Sequence, residues 1–502
     1  MFTIKNFEPR EYQKNIVKSS AEKTTLICLP TGTGKTKTAI LLAVERLNQF
    51  PDSKIIMVSP TKPLSKQIFE EFKECTDVPP ATIHMLTGML KAEERKKLFS
   101  VAKIIIATPQ TIANDVETGI ISLEDCSLLV IDECHRSKQK FANTKIVLSY
   151  IVQGKNQRIM ALTASPGATR EKIEEVCKNL YIENVEIRKE EDEDIAPYIQ
   201  KKEINYVIVE LPQEMLKIKE IIKRKYLSIV GMLKKFGLGK PASVVNKRDL
   251  LGLQIRLRGE IGRQNRAAYT GISLVAQAIK VEHALGLLET QTIKSAWRFL
   301  KDLESEETKA AKAISGNREI KEVMETLEKL EAETEHPKMK KLKEIVHKDL
   351  ENEKAKIMVF ANYRSTVEEI VNALNTGKAK PVKLIGQKDG ITQKIQLETA
   401  KKFEEGIYNV LVTTSIGEEG LDISGATHAI FYDAVPSEIR VIQRAGRVGR
   451  MQEGKITMLM TKNSRDQAYF WTAKKKTGVM QKTLYDLQKK GMGDSQSVLA
   501  GK

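Results

Sequence analysis

A short glycine-rich segment near the N-terminus constrains the fold of this chain more than any other part of its sequence. Residues 29–36 read LPTGTGKT, after an apolar run and before an apolar helical pattern. A strand, a glycine loop and a helix in this order are typical of a phosphate-binding loop, whose backbone N–H groups point at phosphate oxygens. Lys35 adds a point charge for the β- and γ-phosphates, and the Thr36 hydroxyl is a ligand for Mg²⁺. The predicted nucleotide-binding residues of the loop are Thr31, Gly32, Thr33, Gly34, Lys35 and Thr36.

Length and charge narrow the class of protein. A chain of 502 residues is too long to fold around a single hydrophobic core, so about two to four domains are expected. Lys and Arg number 82 against 65 Asp and Glu, a formal net charge of +17. Such a surplus favours a polyanion as partner, nucleic acid before an anionic membrane, with a solubilising basic surface as the alternative. The sequence has neither a C-x-x-C pair nor a signal-peptide core, and its apolar runs fall short of about 20 residues, so we expect a cytoplasmic protein.

Two blocks of alternating strand and helix patterns flank a helical stretch. Such alternation is typical of β-α-β units on a buried parallel sheet. Between about residues 211 and 350 the strand patterns vanish, and charged and aliphatic residues recur at helical spacing. The predicted fold is α/β, with two doubly wound parallel-sheet domains and an all-α insert between them. The predicted bounds are 1–203 for the first sheet domain, 204–335 for the insert, 336–485 for the second sheet domain and 486–502 for a flexible tail.

Two adjacent carboxylates follow a strand pattern of the first block. The tetrapeptide DECH (residues 132–135) comes directly after the apolar residues 128–131. Its carboxylates are therefore expected at the C-terminal edge of the sheet, where ligands bind in open α/β folds. Asp132 is expected to hold Mg²⁺ together with Thr36, and Glu133 to orient and deprotonate the attacking water. An acidic loop is the alternative, but the phosphate loop in the same domain favours ATP hydrolysis.

An arginine-rich segment in the second block supplies the opposite charge. Residues 443–450 read QRAGRVGR, with Arg444, Arg447 and Arg450 spaced three apart on one helical face or turn. Guanidinium groups reaching across a cleft stabilise the charge that builds on the γ-phosphate during transfer. A basic nucleic-acid patch is the alternative, and Arg444 can serve a different purpose from the other two.

These three motifs, in this order, resemble those of superfamily 2 helicases. The resemblance implies two RecA-like motor domains, ATP and Mg²⁺ as cofactors, Arg10 stacked on adenine and Gln13 hydrogen-bonded to it. It also implies that residues 163–166 (TASP) couple the ATP state to strand position. The implied catalytic residues are Lys35, Thr36, Asp132, Glu133, His135, Gln443, Arg447 and Arg450. The further nucleotide-binding residues implied are Arg10, Gln13, Gly420 and Asp422.

Short polar side chains in both sheet domains resemble the strand-contacting loops of that superfamily. Such side chains position a phosphate backbone without reading bases. The residues concerned are Pro60, Thr61, Lys62, Thr108, Pro109, Asn362, Arg364, Thr413 and Thr414. In the insert, four arginines at close helical spacing predict a contact with duplex phosphates, a structural spacer with solvated basic faces being the alternative. They are Arg256, Arg258, Arg263 and Arg266.

A narrower resemblance covers residues from about 7 to 480. Residues 60–64 (PTKPL), 162–167 (LTASPG) and 436–444 (PSEIRVIQR) are similar to segments of the archaeal Hef family. Hef proteins are helicase-associated proteins that act on fork-structured DNA, related to the Fanconi anaemia group M translocases. The resemblance implies an ATP-dependent helicase or translocase on forked, branched or duplex DNA, with a nucleoid-associated archaeal location.

Further partners follow from the same resemblance. Hef proteins often continue into a C-terminal nuclease, which the residues after 490 are too few to encode, so we expect either a motor fragment or a protein without the nuclease. A nuclease domain or protein and a sliding clamp are the further partners predicted. A duplex-RNA-dependent ATPase and an ATP-switched nucleic-acid clamp are the alternative functions.

Overall fold

A computed structural model describes most of the chain. It covers residues 1–137, 139, 141–167, 169–199, 202–261, 265–386, 391–414, 423, 425–435, 437–446 and 454–490. Within this span the chain forms two parallel sheets and a bundle of helices.

The N-terminal domain contains the phosphate loop and the paired carboxylates. Its elements are α1 (Glu11–Glu22), β1 (Thr25–Cys28), α2 (Lys35–Gln49), β2 (Lys54–Val58), α3 (Lys62–Cys75), β3 (Ile83–Leu86), α4 (Ala92–Val101), β4 (Ile104–Ala107), α5 (Pro109–Glu117), β5 (Cys126–Ile131), α6 (Ala142–Gln153), β6 (Ile159–Thr163), α7 (Arg170–Asn179) and β7 (Asn184–Ile187). The seven parallel strands lie in the order β3-β4-β2-β5-β6-β1-β7. Buried clusters cover both faces of the sheet, which is why its central strands read as continuous apolar runs.

The second sheet domain is assembled from two separate parts of the chain. Its elements are β8 (Lys202–Val209), α14 (Pro337–Asp349), β9 (Ile357–Phe360), α15 (Arg364–Leu374), β10 (Pro381–Leu384), α16 (Gln393–Glu404), β11 (Val410–Thr413), β12 (His428–Phe431), α17 (Glu438–Ala445), β13 (Gly454–Thr461) and α18 (Arg465–Lys490). Its six parallel strands lie in the order β10-β11-β9-β12-β13-β8.

The two sheets share one strand order. Aligning them places β12 where β5 lies in the first sheet, and β8 where the phosphate-loop strand β1 lies, with β7 as an extra strand of the first sheet. The predicted fold class, two doubly wound parallel sheets with a helical segment between them, is therefore confirmed.

Strand β8 was missed by the sequence analysis. It begins before the predicted boundary at residues 203 and 204 and continues past it, so the second sheet draws one strand from ahead of the helical segment. The strand lies at a sheet edge, and Ile204, Tyr206 and Ile208 are each about half exposed. The strand nevertheless contains an apolar run, residues 206–209 (YVIV), which the sequence analysis did not recognise as a strand. The exact domain bounds stay a prediction.

Six helices between β8 and α14 form the insert. They are α8 (Gln213–Leu233), α9 (Lys247–Ile261), α10 (Ala267–Thr290), α11 (Ile293–Ser305), α12 (Lys309–Ser315) and α13 (Arg318–Glu333). They enclose a hydrophobic core of their own. Helix α10 is long and apolar enough to cross a membrane by length and composition. In the structure it packs against α8, α9, α11 and α12, so its apolar residues are those of a central bundle helix.

Candidate nucleotide site and surrounding motifs

Two glycines of the predicted phosphate loop have a left-handed backbone. Gly32 and Gly34 both have a φ of +81°, in the left-handed region that favours glycine, and Gly34 is the N-cap of α2. A Cβ atom at Gly34 would lie 2.8 Å from Nε2 of Gln13, so a side chain there would displace the Gln13 amide. Lys35 Nζ donates long hydrogen bonds to the carbonyl oxygens of Leu29 (3.3 Å) and Pro30 (3.4 Å). A phosphate can replace these weak contacts.

The residues predicted to recognise adenine lie beside the loop. Gln13 Nε2 donates to the Gly34 carbonyl oxygen at 3.3 Å, and the Tyr12 hydroxyl donates to the carbonyl oxygen of Thr33. The Arg10 guanidinium lies 4.6 Å from the ring centre of Tyr198. Tyr12 and Tyr198 were missed by the sequence analysis. Tyr12 lies within the motif itself, whereas Tyr198 lies in an acidic linker and had no local signal.

The paired carboxylates lie at the edge of the first sheet, as expected. Asp132 follows β5 directly, and its N–H donates to the carbonyl oxygen of Val58 on β2 at 2.9 Å. Burial and the charge of Glu133 raise the pKa of Asp132 to about 7. Glu133 has a φ of +50°, an unusual backbone for a non-glycine residue that is found most often at functional sites. Burial acts to raise its pKa too, but the hydrogen bond and charge of His135, together with the charges of Lys35 and Arg136, outweigh burial and hold the pKa of Glu133 below its usual value.

His135 links this edge to the next strand. Its Nδ1 lies 3.2 Å from Oε2 of Glu133 and 3.3 Å from Oγ1 of Thr163, at the end of β6. The backbone N–H of Ser165 donates to the same Thr163 oxygen at 3.0 Å. The Asp-Glu-x-His motif and the segment 163–166 therefore form one hydrogen-bonded unit.

The donor set of the site suits a magnesium ion that arrives with a nucleotide. Thr36, at the end of the phosphate loop, offers a hydroxyl. Asp132 offers a carboxylate close enough to the loop for the charge of Lys35 to act on its pKa. Among the residues that the structure describes, no three His, Cys, Asp or Glu side chains cluster as a metal site. Mg²⁺ is commonly bound by one or two protein ligands plus substrate phosphates and water, so these two residues fit it without an all-protein cage.

The second sheet domain contacts the phosphate loop directly. Gly446 follows α17, and a Cβ atom at this glycine would lie only 2.2 Å from Oγ1 of Thr31. Ile442, on the same helix, packs against the core of the first domain. The arginine segment thus starts at the loop. Arg447, Arg450, Gly420 and Asp422 lie outside the described residues, as does the side chain of Gln443.

Arg444 has a different role from a residue that reaches across the cleft. Its side chain is fully buried within the second domain. Its Nη1 donates to the carbonyl oxygen of Asp433 at 3.1 Å, and its Nη2 donates to Oδ1 of Asn362 at 3.0 Å. Arg444 therefore braces the second domain from inside.

Residues of the predicted strand-contacting loops of the first domain lie near the paired carboxylates. Pro60, Pro109, Asp132 and His135 line a common cavity of about 330 Å³. Thr61 caps α3, accepting from the N–H of Leu64 at 3.4 Å. Lys62 is exposed, while the hydroxyls of Thr108 and Thr111 lie 3.0 Å apart.

In the second domain, the predicted contact residues Arg364, Thr413 and Thr414 are partly or fully buried. Arg364 Nη2 donates to the carbonyl oxygen of Gly386 at 2.7 Å. Thr413 is fully buried and its hydroxyl donates to the carbonyl oxygen of Leu384 at 2.9 Å, so its side chain supports the neighbouring strand instead of facing solvent. Thr414 is also buried.

The three described arginines of the insert, Arg256, Arg258 and Arg266, do not form one face. Arg256 and Arg258 are exposed on α9. Side chains two positions apart in an α-helix point in directions that differ by about 200°. Arg256 Nη2 donates to the carbonyl oxygen of Gly237 at 2.8 Å. Arg266 is exposed at the N-cap of α10, and Arg263 lies outside the described residues. Their contact with duplex phosphates stays a prediction.

Three protein-family models match successive parts of the chain. Residues 10–173 match the DEAD/DEAH box helicase family, and residues 337–452 match the helicase conserved C-terminal domain. Residues 213–336 match a family described as "Putative ATP-dependent RNA helicase, helical bundle".

Individual proteins and a solved structure are similar over nearly the whole chain. The helicase domain of Hef from Pyrococcus furiosus is 40% identical, with a TM-score of 0.74, over 92% of this chain and 98% of that structure. A "Putative ATP-dependent RNA helicase" of Methanocaldococcus jannaschii is 36% identical over 96% of this chain and 61% of its own length. The ATP-dependent DNA helicase fml1 of Schizosaccharomyces pombe is 34% identical over 92% of this chain and 58% of its own length. The mouse Fanconi anemia group M protein homolog is 30% identical over 92% of this chain and 25% of its own length.

Proposed function

Because the chain belongs to the family of superfamily 2 helicases that includes Hef and the Fanconi anaemia group M proteins, we propose that it is an ATP-dependent DNA helicase or translocase that remodels or unwinds forked and branched DNA. The observation that carries the proposal is the close approach of Gly446, in the second sheet domain, to Thr31 of the phosphate loop in the first. An ATP site divided between two domains can convert hydrolysis into relative domain motion.

Each part of the site has a task in hydrolysis. Lys35 exchanges its two carbonyl contacts for the β- and γ-phosphates, and Arg10 with Gln13 holds the base beside the loop. Glu133, kept ionised by His135, orients and deprotonates the attacking water. Thr36 and Asp132 would hold Mg²⁺, which offsets charge on the phosphates when bound.

Motion follows from the same geometry. Arg447 and Arg450 are proposed to complete the site from the second domain, next to Gly446, and to stabilise the transition-state charge. Hydrolysis weakens that contact and reopens the cleft. Alternate grip by the loops around Pro60 and Pro109 and by those of the second domain then moves the strand.

The proposed substrate is forked, branched or duplex DNA in a nucleoid-associated, cytoplasmic setting. A net charge of +17 supports a polyanion partner, and two of the similar proteins carry the words DNA helicase or Fanconi anemia in their names. A third is called an RNA helicase, so duplex RNA is the alternative substrate. The chain spans about 60% of the first two curated relatives, and a nuclease domain or protein and a sliding clamp are proposed as partners.

The test is the steady-state ATPase rate on matched single-stranded, duplex and forked DNA, and on the same forms of RNA. Strongest stimulation by forked DNA is expected. Strongest stimulation by duplex RNA would move the chain to the RNA-dependent alternative. Slow turnover that no nucleic acid accelerates, with tight ATP-dependent binding, would identify a clamp.

The proposed duplex contact of the insert is tested separately. Replacing Arg256, Arg258 and Arg266 by Gln should weaken fork binding, and each lost phosphate contact should reduce the slope of log K against log salt by about 0.9. Fluorescence anisotropy at several salt concentrations measures both quantities. An unchanged slope would show that these side chains are solvated faces of a spacer. Arg318→Gln is the matched control, since this side chain is 93% exposed on the acidic half of the insert and pairs with Glu322.

A further inference from the structure

The last described helix, α18, connects the two sheet domains. It has 26 residues, so at 1.5 Å a residue it is about 39 Å long. It begins against the second domain and the bundle, and its later turns pack on β7 and α7 of the first domain. A rigid element of this length transmits displacement at one end to the other.

The later turns of α18 belong to the core of the first domain. Met480, Leu484 and Leu487 are buried in the same cluster as the strands that hold the catalytic carboxylates. The Tyr485 hydroxyl donates to Oδ2 of Asp192 at 2.6 Å, and the Lys189 ammonium lies 4.3 Å from the centre of the Tyr485 ring. This end of the helix therefore moves with the first domain.

One side chain of this region reaches the segment predicted to couple the ATP state to the strand. The hydroxyl of Ser165 donates to the sulfur of Met480 at 3.0 Å, and both residues are 2% exposed. Ser165 is joined through Thr163 and His135 to Glu133 by the contacts described above. A thioether is a weak acceptor, so a buried hydroxyl can exchange it for a better partner when its surroundings change.

The first turn of α18 is fixed elsewhere. Oδ2 of Asp466 accepts from Lys338 Nζ at 2.8 Å, and Oδ1 accepts from the N–H of Ala434 at 3.3 Å. Arg465 Nη2 donates to the carbonyl oxygen of Glu282 on α10 at 2.7 Å. The start of the helix is thus bonded to the second domain and to the bundle at once.

We propose that Met480 is a positioning residue for ATP-driven strand movement. Met480 accepts the hydrogen bond of Ser165 and so transmits the state of the ATP site to α18. The first turn of α18 is bonded to the second domain and to the bundle, which therefore respond to this state. The inference rests on the proposed function, because strand separation is the result that the domain movement would produce. The domain movement itself does not require DNA. Exchange of the Ser165 bond between the ATP and ADP states is the step that transmits the nucleotide state to the helix, which stays packed on the first domain.

The test replaces the acceptor without changing the volume. Met480→Leu removes the sulfur, and Leu484→Met, one turn later on the same buried face, is the control for repacking. Measurements are the ATP consumed per base pair separated on forked DNA, and KM for ATP. Met480→Leu should raise the ATP consumed per base pair by about threefold or more with KM unchanged, while Leu484→Met stays at the wild-type ratio. A wild-type ratio in Met480→Leu, or an equal rise in both variants, would overturn the proposal.

A second readout separates this inference from the proposed function. All five native cysteines are buried, so Val152→Cys on α6 and Lys401→Cys on α16, both exposed, take distance labels selectively. A non-hydrolysable ATP analogue should change the distance between the labels, and Met480→Leu should reduce that change by about half or more. If the wild type separates no strands but its label distance responds and that of Met480→Leu does not, only the proposed function fails. An equal response in both proteins would refute the role of Met480.

Discussion

Asp132 and Asp433 follow equivalent strands of the two sheets, β5 and β12, yet their surroundings differ. Oδ1 of Asp433 accepts from Gln291 Nε2 at 2.5 Å, its Oδ2 accepts from the N–H of Asn362 at 2.6 Å, and Lys338 Nζ lies 3.9 Å away. The pKa of Asp433 is raised by burial, against the pull of these donors and of the Lys338 charge. Asp132 instead lies next to a second carboxylate, which adds to burial in raising its pKa.

The comparison teaches that the same edge of the same fold can serve chemistry or assembly. At the first sheet, the charged side chains lie where a nucleotide and a metal ion would pair with them. At the second sheet, the charged and polar side chains pair with one another, and these pairs join the second domain, the bundle and α18. Topology supplies the position, and the neighbouring side chains decide its use.

We call the edge of the first sheet that follows β5 the first edge, and the edge of the second sheet that follows β12 the second edge. The largest effect should come from removing the proposed general base at the first edge. Glu133→Gln should lower kcat for ATP by about 10²- to 10⁴-fold, because the amide cannot take a proton from water, while ATP binding is retained. Stopped-flow hydrolysis and a fluorescent-nucleotide titration check the two parts. Retained hydrolysis would show that the first edge does not supply the base.

At the second edge, the largest effect should be on folding. Lys338→Met leaves Asp466 and Asp433 without their buried cation, and it should lower the free energy of unfolding by about 3–5 kcal/mol. Lys341→Met on the same helix breaks only an exposed pair with Glu344 and should cost less than about 1 kcal/mol. Urea unfolding monitored by circular dichroism measures both variants. Equal losses would remove the distinction between the two edges.

The second edge should also be sensitive to acid. His336 is the N-cap of α14; its Nδ1 accepts from the N–H of Lys338, and its Nε2 lies 3.2 Å from the Leu288 carbonyl oxygen. Burial lowers the pKa of His336 to about 3, so below pH 6.5 the unfolded chain takes up a proton that the folded chain does not. The stability contributed by neutral His336 is present above pH 6.5 and is lost as the pH falls.

A variant pair checks this pH dependence. His336→Asn keeps an N-cap acceptor but does not titrate, so its loss of stability between pH 7 and pH 5 should be smaller than that of the wild type by about 2 kcal/mol. His347→Asn, exposed on the same helix, should follow the wild type. Parallel pH profiles for all three proteins would contradict the assignment.

The smallest effect should have the opposite sign. Asp132→Asn removes a buried charge that faces Glu133, so it should raise the free energy of unfolding by about 1 kcal/mol while abolishing activity. Asp433→Asn should lower it, because the amide pairs less well with Lys338 and Gln291. Thermal unfolding of the two variants side by side tests the reversal, and shifts of one sign would refute it.

The sequence predicted the first edge far better than the second. Residues 29–36 and 132–135 are contiguous motifs, and the strands beside them are apolar on both faces, so each could be read locally. The contacts of Asp433 with Gln291 and of Lys338 with Asp466 join residues more than 120 positions apart and leave no local pattern. Tyr198 beside Arg10 was missed for the same reason. The edge strand β8 was missed although residues 206–209 are an apolar run, because this run directly precedes the helical pattern that begins near residue 211.

The discontinuous second sheet also has a consequence in time. Lys202 of β8 pairs with Gly454 of β13, which the ribosome reaches 252 residues later (454 − 202). At about 5–20 residues per second, β8 waits roughly 10–50 s for its partner, with Ile204, Tyr206 and Ile208 available to other chains. The first sheet is complete once Ile187 has emerged. During synthesis, the strands of the first sheet are therefore all present while the second sheet still has an unpaired strand.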